Sequence, residues 1–473
     1  MIIKKGYTLE INKFAVILLP LLLSLCILQI CFPGFMSYDS IQMLEEARSN
    51  VNGGIFPAAP VYILRLFDLS GHGPTVMVQM QNFILLLSVT LILRMLGASF
   101  IATAISLLTL LAMPTVIGCM LVLWKDVTLV ALVVLSLSMM FWASQKNKEK
   151  VFYQIAKWAS LLLLIIGTLV KFNAITSTVI IAIYWLSVFF KNRNLRVKCL
   201  AFFLIISSMI VSNKLINGYS FPDFKKLQPN NIVYGLMAND LIGISKWSRE
   251  SLIPFDVNNT ALSAKIPISD IDAIYTSLGS AVMHENNMRL GGVVNIFPVN
   301  YKQQDITAAW IAAVIKYPTA YLKYRWDLFS EIIGATNHGT YEPTHFNRID
   351  ENKFGITFKD RYTTNITLKY IESASNVFWG KPWFVFFLSA VSVLLIYSSQ
   401  NIRHDFKILA YYSFGAAFMY IAPFFLVTLS GEVRYSFTAI VFSSVSIFVL
   451  IFSTNPSSFT LFQKLNNKRV FNQ

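Results

Sequence analysis

Charged and polar side chains interrupt this apolar sequence in four short stretches, and their types suit acid–base or anion-binding chemistry. The stretches are "MSYDSIQMLEEA" with Asp39, "VLWKDVTL" with Lys125 and Asp126, "LVKFNAIT" with Lys171 and Asn173, and "SGEVRYSF" with Glu432, Arg434 and Tyr435. A carboxylate can take the proton of an attacking hydroxyl, and a cation can neutralise a phosphate. Ionisable groups inside apolar segments are costly unless they are paired or face water. They are therefore candidates for a functional site.

Each stretch also has a purely structural interpretation. Ser37 or Asp39 could be the N-cap of an amphipathic helix over "DSIQMLEEA". Lys125 and Asp126 could anchor a helix at the membrane interface, and a single base could extend its charge to that interface. Four charged elements between apolar helices at one face nevertheless favour a shared cavity there.

Composition indicates a membrane protein. Of 473 residues, 55% are hydrophobic and 13% charged, and the mean hydropathy is +0.57. A soluble domain carries about 25% charged residues. The cysteines lie in or beside apolar runs, a pattern typical of small buried hydrophobes and not of a disulfide framework or a metal site. They are Cys26, Cys31, Cys119 and Cys199.

Apolar runs of about 17–25 residues predict an all-α polytopic fold with about 10 transmembrane helices. The predicted spans are 14–32, 75–93, 98–114, 126–143, 156–172, 174–190, 199–215, 382–398, 407–428 and 435–453. The first run follows Lys4 and Lys5 as the apolar part of a signal peptide does. It is long for one and no small-x-small cleavage site follows, so we expect an uncleaved span.

The bias of lysine and arginine in short loops sets the orientation. With the N-terminus inside, the inner segments hold almost all of the net charge of +15. The high pI therefore reports topology, and no nucleic acid is expected as a partner because no basic soluble domain is present. The opposite face receives 33–74 and 216–381. The second segment has nearly balanced charge and predicts a mainly helical outer domain.

The predicted organisation has three parts. Residues 1–215 form an N-terminal membrane module of about seven helices, with 33–74 as its first outer loop. Residues 216–381 form the large extracytoplasmic loop domain. Residues 382–473 supply the C-terminal helices and a short cytoplasmic tail.

The charged stretches, together with "FPAAPVYILRLFDLSGHGP" and "KYPTAYLKYRWDLF", resemble bacterial membrane glycosyltransferases of the GT-C superfamily. The resemblance runs along most of the chain in the same order, although each motif is short. It implies a GT-C-like fold and an enzyme of the bacterial cytoplasmic membrane whose active site lies on the extracytoplasmic side. The superfamily keeps its catalytic aspartate just after the first span, where this chain has Asp39.

The resemblance implies a sugar donor linked to polyprenyl phosphate, the lipid bilayer as surroundings, and a glycan, lipid or protein as acceptor. It makes Asp39 the expected base and Asp126 a second catalytic acid that orients acceptor or donor. The expected substrate-binding residues are Tyr38, Lys125, Lys171, Asn173, Arg325, Arg434 and Tyr435. Of these, Lys171 and Arg434 are expected at the phosphate, and Arg325 is a weaker candidate because "YLKYRW" also suits an interfacial helix.

One segment departs from the family pattern. Relatives often have His-Pro-Pro in the first outer loop, where this chain has Phe56-Pro57-Ala58-Ala59-Pro60. The loss of that histidine puts the substrate or the activity in question. The prolines that would shape the loop are still present.

No cofactor is predicted. His338, Glu342 and His345 in "NHGTYEPTHF" could hold a divalent metal, but a solvated loop is the stronger interpretation because the spacing fixes no geometry.

Two other functions compete with glycosyl transfer. A flippase for lipid-linked glycans would place ionisable residues near the bilayer midplane and show repeated, broken helices. An O-antigen-type polymerase or ligase would rely on arginines and a histidine in a large outer loop. The gathering of charges at one face and the acid directly after the first span favour the glycosyltransferase.

The orientation can be tested by cysteine labelling in intact cells. We expect a membrane-impermeant reagent to reach cysteines placed at Gly53 and Asn300 and to miss those at Lys148 and Lys464, because the lysine and arginine bias holds the latter inside. Labelling at Asn300 only after the cells are opened would reverse the scheme.

Overall fold

The computed structural model describes residues 4–49, 56–145, 150–218, 231–254, 265–292, 303–336 and 342–453. The four labelling positions Gly53, Lys148, Asn300 and Lys464 lie outside these ranges, as does His338.

The described chain is helical, and the β-pairing within it consists of two isolated bridges. The first helices are α1 Lys4–Cys31, α2 Tyr38–Ser49, α3 Ala58–Phe67, α4 Gly73–Met95, α5 Phe100–Leu111, α6 Pro114–Met120, α7 Lys125–Ser144, α8 Lys150–Val170, α9 Ile175–Phe189 and α10 Leu195–Gly218. Then follow α11 Asn231–Ser248, α12 Ile268–Ile274, α13 Ser280–Arg289, α14 Gln303–Lys316 and α15 Pro318–Ile332. The last are α16 Tyr362–Ser375, α17 Pro382–Ser398, α18 His404–Ile421 and α19 Phe437–Ser453.

Among the described residues, seven helical segments are long and apolar enough to cross a membrane. They are Gly73–Met95, Lys125–Ser144, Lys150–Val170, Phe172–Phe189, Leu195–Asn217, His404–Phe425 and Val433–Ser453. Each matches a predicted span, which confirms an all-α polytopic membrane protein. The apolar helices Ala15–Cys31 and Pro382–Ser398 match two further predicted spans but are shorter.

The predicted span 98–114 is not one straight helix. It is divided between α5 and α6, whose axes are bent by 85°. The bend lies at Met113, which is extended (φ −74°, ψ 123°) because the following Pro114 disfavours helical backbone before it. This pair is either a broken span or a re-entrant loop.

The chain folds as two compact units. Unit 1 comprises residues 1–225, 343–420 and 436–473, and unit 2 comprises 226–342 and 421–435. These divisions differ from the predicted outer segment 216–381, since 343–381 belongs to unit 1 and 421–435 to unit 2. The prediction of where the chain leaves the membrane stays a prediction.

Helix α7 is the central element of unit 1. It packs against α4, α8, α9 and α19, and its side chains are buried along nearly its whole length. Gly167 lets α8 approach closely, because a Cβ there would lie 2.7 Å from Val133 Cγ2. The residues at the start of α7 are thereby held on a rigid element.

Unit 2 has its own core, built mainly from α11, α14 and α15. Inside it Arg325 is fully buried and donates to Asp240 at 2.6 Å. The Trp310 indole N–H donates to the same carboxylate at 2.7 Å. Burial raises the pKa of Asp240 to about 6, even though both neighbours favour the charged form.

The packing of unit 2 can be tested at Gly243 of α11. A Cβ at this position would lie 2.2 Å from the Tyr324 ring of α15. We expect Gly243→Ala to cost about 1–3 kcal/mol of stability through overpacking, seen as a lower melting temperature in detergent. Gly415→Ala is the matched control, since its Cβ would come no closer than 3.3 Å to Ile180. Equal melting temperatures for the two variants would contradict the close α11–α15 contact.

Candidate functional site

Two non-helical segments of unit 1 pair through their backbones at the start of α7. The Phe35 N–H donates to the Leu121 carbonyl at 3.0 Å, and the Leu123 N–H donates to the Phe35 carbonyl at 2.8 Å. The result is a parallel bridge between Phe35 and Val122. The bridge links the segment that precedes Asp39 to the segment that precedes Asp126.

A third segment joins on the next residue. The Met36 N–H donates to the Arg348 carbonyl at 2.8 Å, and the Asp350 N–H donates to the Met36 carbonyl at 3.0 Å. Met36 thus forms a second parallel bridge, to Ile349. We call these three paired segments, 35–37, 121–124 and 348–350, the junction.

Side chains fix the first turn of α2 to the junction. The Ser40 hydroxyl donates to the Leu123 carbonyl at 2.8 Å, and the Trp124 indole N–H donates to the Ser37 hydroxyl at 3.0 Å. Ser40 is buried, so its bond is shielded from water. Asp39 lies between the two serines and is therefore held beside the N-terminus of α7.

Asp39 is the second residue of α2 and is partly exposed. The helix begins at Tyr38, so the residue before it is Ser37, and Asp39 lies inside the first turn. A carboxylate there interacts favourably with the helix dipole. The neighbouring Tyr38 is 66% exposed, and its hydroxyl accepts from Gln42 Nε2 at 2.6 Å. Both side chains can therefore meet a ligand from solvent.

Asp126 and Lys171 form a buried ion pair. The Lys171 ammonium donates to Asp126 and also to the Tyr420 hydroxyl, the latter at 3.1 Å. The three residues are at most 8% exposed. They come from α7, from the extended residue after α8, and from α18. Two predicted site residues are therefore in direct contact, and their pairing satisfies the charge of each.

Two further predicted residues lie beside this pair in sequence. The Lys125 ammonium is 4.1 Å from the centroid of the Phe56 ring, which is a cation–π contact. Phe56 is the first residue of the segment that differs from the His-Pro-Pro pattern of the family. Asn173 is partly exposed in the short 3₁₀ helix Phe172–Ala174, and its carbonyl accepts from Thr176.

The other predicted residues belong to unit 2. Arg325 donates to Asp240 and, at 2.9 Å, to the Thr428 carbonyl. Arg434 pairs with Glu432, and the Tyr435 ring stacks on Phe424 with centroids 5.0 Å apart. For Arg325 the structure supplies a structural role, and binding of substrate by these three stays a prediction.

Hydrogen bonds to the Asp68 carboxylate connect two helices of the first loop region. Arg48 of α2 donates to Asp68 at 2.7 and 3.0 Å, and the Gly73 N–H at the start of α4 donates to the same carboxylate at 2.8 Å. Burial favours the neutral acid, but these bonds outweigh it and lower the pKa of Asp68. Helix α2 is thereby tied to α4 at its C-terminal end as well as to the junction at its N-terminal end.

No group of three or more histidine, cysteine, aspartate or glutamate side chains is placed to hold a metal within the described ranges. His345 contacts Asp350 at 2.8 Å, and Glu342 is exposed.

The sequence did not point to Ser40, Trp124 or Tyr420. Ser40 and Trp124 lie in the stretches that contain Asp39 and Asp126. Their hydrogen-bonding groups could have indicated that they hold these stretches in place. Tyr420 carries no such signal, because it is one of many aromatic residues in an apolar run.

Comparison with known proteins gives little further identification. No protein-family model matches the sequence, and no curated protein is significantly similar to it. Among solved structures, the chain is similar to ArnT from Cupriavidus metallidurans bound to undecaprenyl phosphate, with 11% identity over 92% of this chain and 77% of that one. The TM-score is 0.34, too low to establish a common fold.

The buried pair can be tested by a double-mutant cycle. Removal of one partner leaves an uncompensated buried charge, so Lys171→Met should destabilise the protein by about 3–5 kcal/mol, and Asp126→Asn should destabilise it as well. The double variant should lose much less than the sum of the single losses. Unfolding in detergent would measure this, with Lys125→Met as the control for loss of a neighbouring charge. Additive losses, within about 0.5 kcal/mol, would contradict the contact.

Proposed function

We propose that this chain is an integral membrane glycosyltransferase of GT-C type, acting at the extracytoplasmic face of a bacterial cytoplasmic membrane. It moves a sugar from a polyprenyl-phosphate carrier to a hydroxyl of a cell-envelope glycan, lipid or protein. The observation that carries the proposal is the junction, since it holds a partly exposed acid, Asp39, beside the start of α7 with its buried Asp126–Lys171 pair.

Asp39 is the general base of the proposed reaction. The acceptor oxygen attacks the anomeric carbon of the donor sugar, and its proton passes to the Asp39 carboxylate. The bond between the anomeric carbon and the phosphate oxygen breaks, and polyprenyl phosphate leaves with the electron pair. A base must lie within hydrogen-bond reach of the hydroxyl, which requires an accessible carboxylate on a fixed backbone. Asp39 is partly exposed, and the adjacent Ser40 donates to the Leu123 carbonyl.

The Asp126–Lys171 pair supports the N-terminus of α7, which adjoins the junction. Lys171 donates to Asp126 and so compensates the charge of this carboxylate at the start of α7. The pairing also changes the role that we assign to Lys171. It holds Asp126, and it is not the main cation for the phosphate.

Lys125 then becomes the preferred cation of unit 1 for the carrier phosphate. It belongs to the first turn of α7, is partly exposed, and rests on the Phe56 ring. Its neighbour Trp124 is bonded to Ser37, so Lys125 and Asp39 are held on segments that share the junction. A cation here would stabilise the negative charge that develops on the departing phosphate.

The Asp39→Asn variant tests the proposed base. Asn keeps the shape of the side chain but cannot take the proton, so sugar transfer should fall by about 100- to 10,000-fold. Expression and melting temperature should stay near those of the wild type. Transfer would be measured by mass spectrometry of the acceptor after incubation with membranes that contain the donor lipid.

Glu45→Gln is the matched control, since Glu45 is a partly exposed acid of the same helix that pairs with Lys353. It should retain near-normal transfer. Normal transfer by Asp39→Asn would remove Asp39 from the chemistry and return the question to Asp126. It would also be the outcome that a transporter predicts.

A further inference from the structure

Helix α15 of unit 2 packs directly on the end of a membrane-spanning helix. The Phe329 ring contacts the Phe425 ring edge to face, with centroids 5.6 Å apart. Arg325 donates to the Thr428 carbonyl at 2.9 Å. Phe425 is the last residue of the candidate span His404–Phe425, and such a helix ends near the boundary between acyl chains and headgroups. The contacts therefore join α15 to the segment in which that candidate span ends.

Helix α15 exposes two large apolar side chains. Its inward residues, among them Tyr324, Leu328 and Ile332, are fully buried in unit 2. On the other side Leu322 is 48% exposed and Trp326 is 49% exposed. The Trp326 ring contacts the Phe329 ring, and the Phe329 ring in turn contacts the Phe425 ring.

Two exposed apolar residues follow directly after the span. Leu426 is 53% exposed and Val427 is 62% exposed, directly beyond Phe425. We call Leu322, Trp326, Leu426 and Val427 the α15 patch. A patch of large apolar side chains marks an interaction site, since its exposure to water is unfavourable.

We propose that the α15 patch lies in the interfacial layer of the bilayer and anchors unit 2 to the membrane. The position of α15 at the end of a span favours lipid as the occupant, because lipid is already present at that depth. Tryptophan is the residue most typical of this layer, where its ring is apolar and its N–H is wet. A helix also suits the layer because its backbone groups bond to one another.

Lys323 supports the same placement. It is exposed on α15 between Leu322 and Trp326 in sequence, and its ammonium lies 5.4 Å from the centroid of the Trp247 ring. A lysine stem can lie along apolar surface while its charge reaches the headgroups. The proposal does not depend on glycosyl transfer, since it rests on the contacts of α15 and on the end of a candidate span.

Spin labels of known depth test the proposal. Leu322→Cys, Trp326→Cys and Val427→Cys would be made in a chain whose exposed Cys26 and Cys199 are replaced by alanine, since Cys31 and Cys119 are buried. The labelled protein would be reconstituted in vesicles of phosphatidylcholine and phosphatidylglycerol. Power saturation would compare access of oxygen, which concentrates in lipid, with access of a water-soluble nickel chelate. Using three positions keeps the test valid if one variant fails to fold.

Arg289→Cys is the reference, because its side chain is 72% exposed on the polar helix α13 of the same unit. We expect an oxygen-to-nickel access ratio several-fold higher for the three patch labels than for the Arg289 label. Equal ratios would place the patch in water and overturn the proposal. Patch labels shielded from both reagents would also overturn it, because a protein partner would then be the occupant.

Discussion

In a membrane protein every backbone N–H and C=O group that water does not reach needs a hydrogen-bond partner within the protein. The junction supplies such partners for three non-helical segments. Residues 35–37, 121–124 and 348–350 lie outside the helices, so their backbone groups need partners that a regular helix does not supply. They bond to one another, with Phe35 and Met36 between the other two segments. Because the chain continues from these segments into α2 and α7, the same bonds set where Asp39 and Asp126 lie. The placement of the acids is thus a consequence of backbone bonding.

The second constraint is the cost of burying charge. An ionised carboxylate or ammonium inside apolar packing is tolerated only with a partner, and Asp126 and Lys171 provide one another with that partner. Tyr420 adds a hydrogen bond from a third helix. The pair contributes little net stability, yet either charge alone would be strongly unfavourable. The start of α7, the end of α8 and α18 are therefore coupled, and the rigid α7 carries this coupling to the junction.

Much of the fold could be predicted because hydropathy is a property of contiguous residues. The runs that became α4, α7 and α19 are long and uninterrupted, and helix α2 followed from its amphipathic spacing. The bend between α5 and α6 was missed, although Pro114 was visible in the sequence. Hydropathy alone does not distinguish a broken span from a straight one.

The contacts of the candidate site could be predicted only in part. Asp126 and Lys171 were both recognised as ionisable residues in apolar runs, but their pairing depends on how α7 and α8 pack, which no local pattern encodes. The return of residues 348–350 to Met36 joins positions more than 300 residues apart. It depends on backbone groups, which all residue types except proline share. Arg325 could not be paired with Asp240 from the sequence, because the two residues lie 85 positions apart. Whether Arg325 also binds substrate stays a prediction.

The most direct test of glycosyl transfer is mass spectrometry of surface glycans and lipid-linked intermediates in a strain that lacks this protein. If the protein transfers a sugar at the outer face, the strain should accumulate one polyprenyl-phosphate sugar, and one envelope acceptor should lose that sugar while its remaining structure is intact. Accumulation of a complete lipid-linked glycan with an unchanged sugar composition would contradict this function and indicate a flippase or polymerase instead.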